Sequence, residues 1–179
     1  MLGGSKLELS KKEAALSVES EYAGIGFRFL ASLIDGVILG VPLYILTVVF
    51  TTVMFMGDPD VMRIVEKNQE IVTEQEILIT LFAFLKIFAI IGVFTFLVYF
   101  LYYTLMESSK WQATLGKKIM GIRVADTEGG KISFGQAAGR FLAKSFLSPI
   151  LMIGYILAFF TERKQALHDL LAGTIVLKK

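Results

Sequence analysis

The sequence lacks cysteine altogether and contains a single histidine, His168. Disulfide bonds, thiolate metal sites and cysteine nucleophiles are therefore excluded, and so is a histidine-rich metal site. The formal net charge is only +2, which is too small to indicate a nucleic-acid-binding protein. No set of nucleophile, base and metal ligands converges anywhere along the chain. The sequence therefore predicts neither an enzyme nor a cofactor.

Apolar residues are in excess. They make up 55% of the 179 residues, and the mean hydropathy is +0.66, whereas a soluble domain averages about 45–50% apolar residues. The excess lies in three blocks, at about 29–56, 77–106 and 141–160. The first two exceed the roughly 20 residues that cross a bilayer core. We therefore predict an all-α membrane protein in a lipid bilayer, with two full transmembrane helices and a third hydrophobic segment.

The remaining segments are predicted from composition and pattern. The charged segment 1–21 is expected to lie at the membrane interface or to be disordered, and 22–179 to form the membrane domain. Alternating residues and a turn signal predict a small cytoplasmic β-hairpin at 115–134. In the C-terminal tail, 161–179, the run TIVL is a third strand-like segment that can pair with GIRV.

The segment 141–160 either spans the membrane or enters it and returns. It contains Pro149, which breaks or kinks a helix. Lys and Arg favour the cytoplasmic side of a membrane. The re-entrant alternative places fourteen of the eighteen Lys and Arg residues inside and two outside, and we favour it. It predicts that both termini are cytoplasmic.

One carboxylate lies inside the first apolar block. Asp35 and Arg28 are seven residues apart, so on a helix they lie within about 20° of each other, with Ser32 on the same side. A charged side chain at the bilayer centre costs about 2.5–3.5 kcal/mol on insertion scales. Asp35 is therefore expected either to tie two helices together or to form a site for a small cation or proton.

Several residues are candidates to accompany Asp35. Lys86, in the second block, either reaches it or extends outwards to the interface. Asp169 can approach from the tail, and we favour an arrangement with Arg28 between the two acids, because two unscreened carboxylates would raise each other's pKa. His168 either relays protons or lies at the interface beside an aspartate that anchors the tail.

Small residues and lysines suggest further contacts. Ser32, Gly36 and Gly40 form a ridge that allows helix backbones to approach closely, and packing alone explains it. Two or three spans cannot enclose a polar path unaided, so we expect a homo-oligomer or a partner membrane protein. Lys117 and Lys118 are expected to face anionic lipid headgroups.

The order of these features resembles a known family. Arg28, Asp35 and the runs TLGKKIMGIRV, GGKISFGQAAGR and LHDLLAGTIVL occur in sequence within 22–177. Together they resemble the RDD family of small membrane proteins, named for one arginine and two aspartates. Arg28 and Asp35 match the first two residues, and Asp169 matches the second aspartate better than Asp126, which lies in a predicted turn. Lys86 is not part of the pattern.

The resemblance implies a domain of a bacterial-type inner membrane that has no catalytic chemistry and is suspected of transport. The expected function is transport of an ion or small solute, linked to a cation or proton through Asp35. The alternative is a non-transporting membrane scaffold or assembly partner that acts through the hairpin and the tail.

Overall fold

The computed structural model of the chain describes residues 21–66, 73–147 and 153–179. Nearly all of the predicted N-terminal segment and Pro149 lie outside these residues. The elements, in chain order, are α1 (Ile25–Met56), α2 (Pro59–Glu66), α3 (Glu74–Glu107), α4 (Leu115–Ile119), β1 (Ile122–Asp126), α5 (Phe134–Leu142), a π-helical turn (Ala143–Leu147), α6 (Ile153–Phe160), α7 (Leu167–Ala172) and β2 (Thr174–Lys178).

Two helices dominate the chain. α1 has 32 residues and α3 has 34, and both contain the apolar blocks predicted to be spans. Both are long and apolar enough to cross a membrane, by length and composition. Most of their large apolar side chains are exposed, such as Phe88 at 76%. A contiguous apolar surface of this kind marks an interaction site for membrane or protein.

The chain divides into two compact units. One contains the residues up to Gly36 and those from Phe100 onwards, and the other is Val37–Tyr99. Both long helices contribute to both units. Within the second unit, the rings of Phe55 and Phe84 pack edge to face, with their centroids 4.5 Å apart.

A two-stranded sheet joins distant parts of the first unit. β1 and β2 are antiparallel, with Val124 opposite Val176, which confirms the expected pairing of GIRV with TIVL. Tyr22 forms a bridge with Leu177, and the Ala23 N–H donates to the Val176 carbonyl at 2.8 Å. Segments from the start, middle and end of the chain therefore meet here.

The predicted hairpin at 115–134 is wrong. Its first part, Leu115–Ile119, is helical, and 131–133 belongs to no strand. Ser133 instead caps α5: its hydroxyl accepts from the Gln136 N–H, and the Gln136 side chain accepts from the Ser133 N–H. This reciprocal serine and glutamine box is a helix-start signal, and it prevails over the strand-like alternation.

The core of the first unit lies under the sheet and against α1. Its buried apolar residues are Ala23, Ala31, Ile122, Val124, Ile132, Ala137 and Val176. The closest approach is between α4 and α1. A Cβ placed on Gly116 would collide with the Ala31 carbonyl and lie 2.9 Å from the Asp35 carboxylate. A glycine is therefore required at this position for α4 to reach Asp35.

Candidate functional site

Asp35 is held by three neutral donors. Its Oδ1 accepts from the Tyr102 hydroxyl and the Gly116 N–H, both at 2.7 Å, and its Oδ2 accepts from the Thr114 hydroxyl at 2.6 Å. The residue is only 1% exposed. Three donors satisfy a buried carboxylate without a counter-cation. Asp35 thus joins α1 to α3 and α4, which is the helix-tying geometry.

The donors to Asp35 are positioned by the start of α4. Thr114 is the N-cap residue: its hydroxyl accepts from the Lys117 N–H at 3.4 Å and gives its own proton to Asp35. The Tyr102 hydroxyl accepts from the Leu115 N–H at 3.0 Å while it donates to Asp35. None of these donors was among the predicted site residues. The threonine that precedes LGKK was an available signal for an N-cap.

Asp169 lies between two guanidinium groups. Arg28 Nη1 is 2.5 Å from its Oδ2, and Arg140 Nη2 is 2.7 Å from its Oδ1. The predicted contact of Arg28 with an aspartate is confirmed. The arrangement with Arg28 between two acids is wrong, because neutral donors satisfy Asp35 while one acid, Asp169, receives two cations. Burial alone would raise the pKa of Asp169, but Arg140 and Arg28 hold it well below its usual range.

The charges continue beyond Asp169. Arg140 Nη1 is 2.9 Å from Glu107 Oε2, and the Lys117 ammonium donates to Glu107 Oε1. We call the alternating series Arg28, Asp169, Arg140, Glu107 and Lys117 the ion-pair cluster. All of its members except Arg28 are buried in the first unit, and the Arg28 side chain is only 13% exposed. Burial lowers the pKa of Lys117 to about 8, with Arg140 as the second cause.

Three lysines differ in their surroundings. Lys117 is buried in the cluster, so the expectation that it faces lipid headgroups is wrong. Lys118 is exposed, with its ammonium 3.6 Å from the centre of the Trp111 ring. Lys86, in the second unit, is 60% exposed, and its ammonium lies 3.8 Å from the Asp58 carboxylate. The contacts of Lys86 therefore give no support to its pairing with Asp35.

His168 is buried beside Asp169. Its side chain is 6% exposed, and its Nε2 is 3.5 Å from Asp169 Oδ1, so it packs inside the first unit beside the aspartate that anchors the tail. Burial lowers the pKa of His168 to about 3, although Asp169 opposes this effect. A histidine that stays neutral near pH 7 suits packing around the anchored aspartate better than proton relay.

We expect the imidazole of His168 not to titrate between pH 8 and pH 5. Because the chain has one histidine, untagged protein in detergent micelles gives a single imidazole signal by NMR. The unfolded state takes up a proton near pH 6.5 and the folded state only near pH 3. The free energy of unfolding should therefore fall as the pH decreases from about 6.5 towards 3. A midpoint near pH 6.5 in the folded protein would contradict the buried placement.

A cavity lies beside the ion-pair cluster. Its volume is about 460 Å³. Its lining comprises Ile25, Arg28, Phe29, Ser32, Tyr103, Glu107, Lys117, Arg140, Phe141, Lys144, Ala158, Ala166 and His168. Within the described ranges, no group of three His, Cys, Asp or Glu side chains is placed to hold a metal ion. The charged residues of its lining are the four cations and one acid, Glu107.

The glycines of the predicted ridge pack less closely against other described residues than Gly116 does. A Cβ on Gly36 would meet no atom of the described residues within 4 Å, and one on Gly40 would meet only the Tyr99 hydroxyl, at 3.6 Å. Ser32 lines the cavity instead. Packing inside this part of the chain therefore does not explain why position 36 is a glycine.

The chain was compared with known proteins. The sequence profile of the RDD family matches residues 22–173. The chain is also similar to the uncharacterized protein YxaI of Bacillus subtilis (strain 168), with 37% identity over 157 residues, which is 88% of this chain and 97% of that protein. No solved structure matches. The range of the profile includes every member of the ion-pair cluster.

Proposed function

Because this chain belongs to the RDD family and has two helices long and apolar enough to cross a membrane, we propose that it is an integral membrane protein that transports an ion or small solute. The observation that carries the proposal is the buried ion-pair cluster beside a cavity of about 460 Å³. Ionisable groups associated with membrane helices commonly mark transport pathways. The cavity volume falls within the usual range of small-molecule sites.

The contacts of the sheet support a topology for this protein. β1 follows the second long helix, β2 lies in the tail, and Ala23 precedes the first long helix, yet all three are hydrogen-bonded together. In a bilayer they would share one side, so 141–160 would enter and return rather than cross once. The excess of Lys and Arg supports our proposal that this side faces the cytoplasm of a bacterial-type inner membrane.

Flux in liposomes tests the transport proposal. The purified protein is expected to move a common cation or protons, and Asp35→Asn is expected to reduce the rate, because carboxylates within membrane helices commonly mark transport pathways. Asp60→Asn is the control, because Asp60 is exposed and, among the described residues, pairs with the exposed Arg63 at 3.6 Å. Each variant is checked for folding by its thermal transition. If the wild-type protein moves no common cation, no proton and no small anion, transport is contradicted.

A second function is favoured because the buried acids already have bonded partners within the chain. Asp35, Glu107 and Asp169 all have at least two bonded partners inside the chain, as residues that only hold a fold would have. The chain would then be a membrane scaffold or assembly partner that acts through its sheet and tail. Such a protein would show no flux but would purify with a stable membrane partner.

We also propose that the protein forms homo-oligomers through the ridge. Native mass spectrometry should then show more than one copy of the wild-type chain. Gly36→Leu combined with Gly40→Leu should yield monomers. Among the described residues, a Cβ at position 36 meets no atom within 4 Å and one at position 40 meets only the Tyr99 hydroxyl. The thermal transition is measured alongside to detect any effect of the larger leucine side chains on the fold. A monomeric wild-type protein would remove this part of the proposal.

A further inference from the structure

Cations outnumber acids around the cavity. Arg28, Lys117, Arg140 and Lys144 line it, while Glu107 and Asp169 are the two acids paired with them. The neutral His168 does not alter this difference of two positive charges. If Asp35, which is bonded to neutral donors, is counted as a third acid, the cations still exceed the acids by one positive charge. An unbalanced charge in a desolvated site is costly, so a bound anion would stabilise this site.

Two of the cations have unused hydrogen-bond donors. Arg28 Nε donates to the Ala23 carbonyl at 3.1 Å and Nη1 donates to Asp169, but Nη2 is buried without a partner among the described residues. The Lys144 ammonium has no carboxylate within 4 Å in the described part of the chain and lies 4.9 Å from the centre of the Tyr103 ring. Both residues line the same cavity.

Much of the remaining wall is apolar and continues onto the outside of the protein. It includes Ile25, Phe29 and Phe141, and Phe29 is 63% exposed. Arg28 lies in the first turn of α1 and Glu107 is the last residue of α3. If these helices cross the bilayer, both residues lie near the headgroup level, where phosphate is the abundant anion. Guanidinium and ammonium groups are the usual ligands of phosphate.

We propose that the cavity binds an anionic phosphate group, carried either by a lipid headgroup or by a free phosphate. Lys144 and Arg28 are the residues that contact it, and Lys117 and Arg140 add to the positive field. The location of the site at a membrane comes from the proposed function, on which the inference therefore rests. The inference adds the class of ligand that the site binds. The volume of about 460 Å³ leaves room beyond one phosphate for an attached group.

Binding to the full chain in zwitterionic micelles tests the inference. The probes are inorganic phosphate, short-chain phosphatidylglycerol and, as a neutral reference, short-chain phosphatidylcholine. Lys144→Gln removes one ligand and is expected to weaken binding about tenfold, the effect of losing one charged hydrogen bond. Lys118→Gln is the matched control, since it removes the same charge from an exposed lysine over Trp111 and should leave the affinity unchanged.

Binding of either anionic probe, weakened by Lys144→Gln but not by Lys118→Gln, supports the inference. Binding of phosphatidylglycerol alone identifies a lipid as the ligand, and binding of inorganic phosphate alone identifies free phosphate. Binding of both probes identifies the phosphate group itself as what the site recognises. Binding of neither probe overturns it, as does equal weakening by both variants or equal affinity for phosphatidylcholine. Binding is measured without flux, so a protein that transports but fails this test retains the proposed function and loses only the phosphate site.

Discussion

Replacing Asp169 with asparagine is expected to lower the free energy of unfolding by about 3–5 kcal/mol, the usual cost of removing one partner from a buried ion pair. The substitution leaves the guanidiniums of Arg28 and Arg140 without their shared carboxylate. Both lie in a protein interior, where an uncompensated charge is poorly solvated. The measurement is denaturant unfolding in detergent micelles.

Asp60→Asn serves as the control for this prediction. Asp60 is an exposed aspartate that pairs with Arg63 within α2, and surface pairs of this type contribute little. Its unfolding midpoint should match that of the wild-type protein. If Asp169→Asn is equally neutral, the two arginines must find other partners, and the ion-pair cluster would not be what holds the first unit together.

Replacing Gly116 with alanine is expected to destabilise the protein by at least about 3 kcal/mol, because overpacking is combined with a lost charged hydrogen bond. The added Cβ would collide with the Ala31 carbonyl and crowd Asp35. If α4 moved away, the Gly116 N–H would no longer reach Asp35 Oδ1, which it meets at 2.7 Å. The same denaturant experiment measures this change.

Gly139→Ala is the matched control for Gly116→Ala. Gly139 lies in α5, and a Cβ there would meet no described atom within 4 Å. Alanine in a helix interior is favoured over glycine by roughly 0.5–1 kcal/mol, so this variant should be slightly more stable than the wild-type protein. The two substitutions are chemically identical and should have opposite signs. A stabilising Gly116→Ala would show that α4 does not pack against α1 as described.

The sequence predicted the long helices and the contact of Arg28 with Asp169 because both depend on strong signals. Apolar blocks above 20 residues with only one charge each have few structural alternatives. A buried charge needs an opposite one, and the first apolar block and the tail offered few candidates. The pairing of β1 with β2 was also predictable, since TIVL and GIRV are both short segments rich in β-branched residues.

The rest of the site could not be predicted from local pattern. Glu107, Lys117 and Arg140 lie on three different elements, and only the folded chain brings their charges within bonding distance. Lys117 looked like a headgroup ligand because it stands next to Lys118, yet one turn of helix buries the first and exposes the second. The hairpin was mispredicted because strand-like alternation at 131–134 competes with the serine cap of α5.

The meeting of Ala23, β1 and β2 has a consequence for biosynthesis. The long helices are complete once residue 107 has been made, but Asp169 and β2 are made only later. Until then Arg28 and Arg140 lack the carboxylate that they share. The Ala23 N–H and β1 also lack β2, the strand with which they form hydrogen bonds. The long helices therefore exist before the polar unit can close. A chain that stopped before residue 169 would keep both long helices and lack the carboxylate that pairs with Arg28.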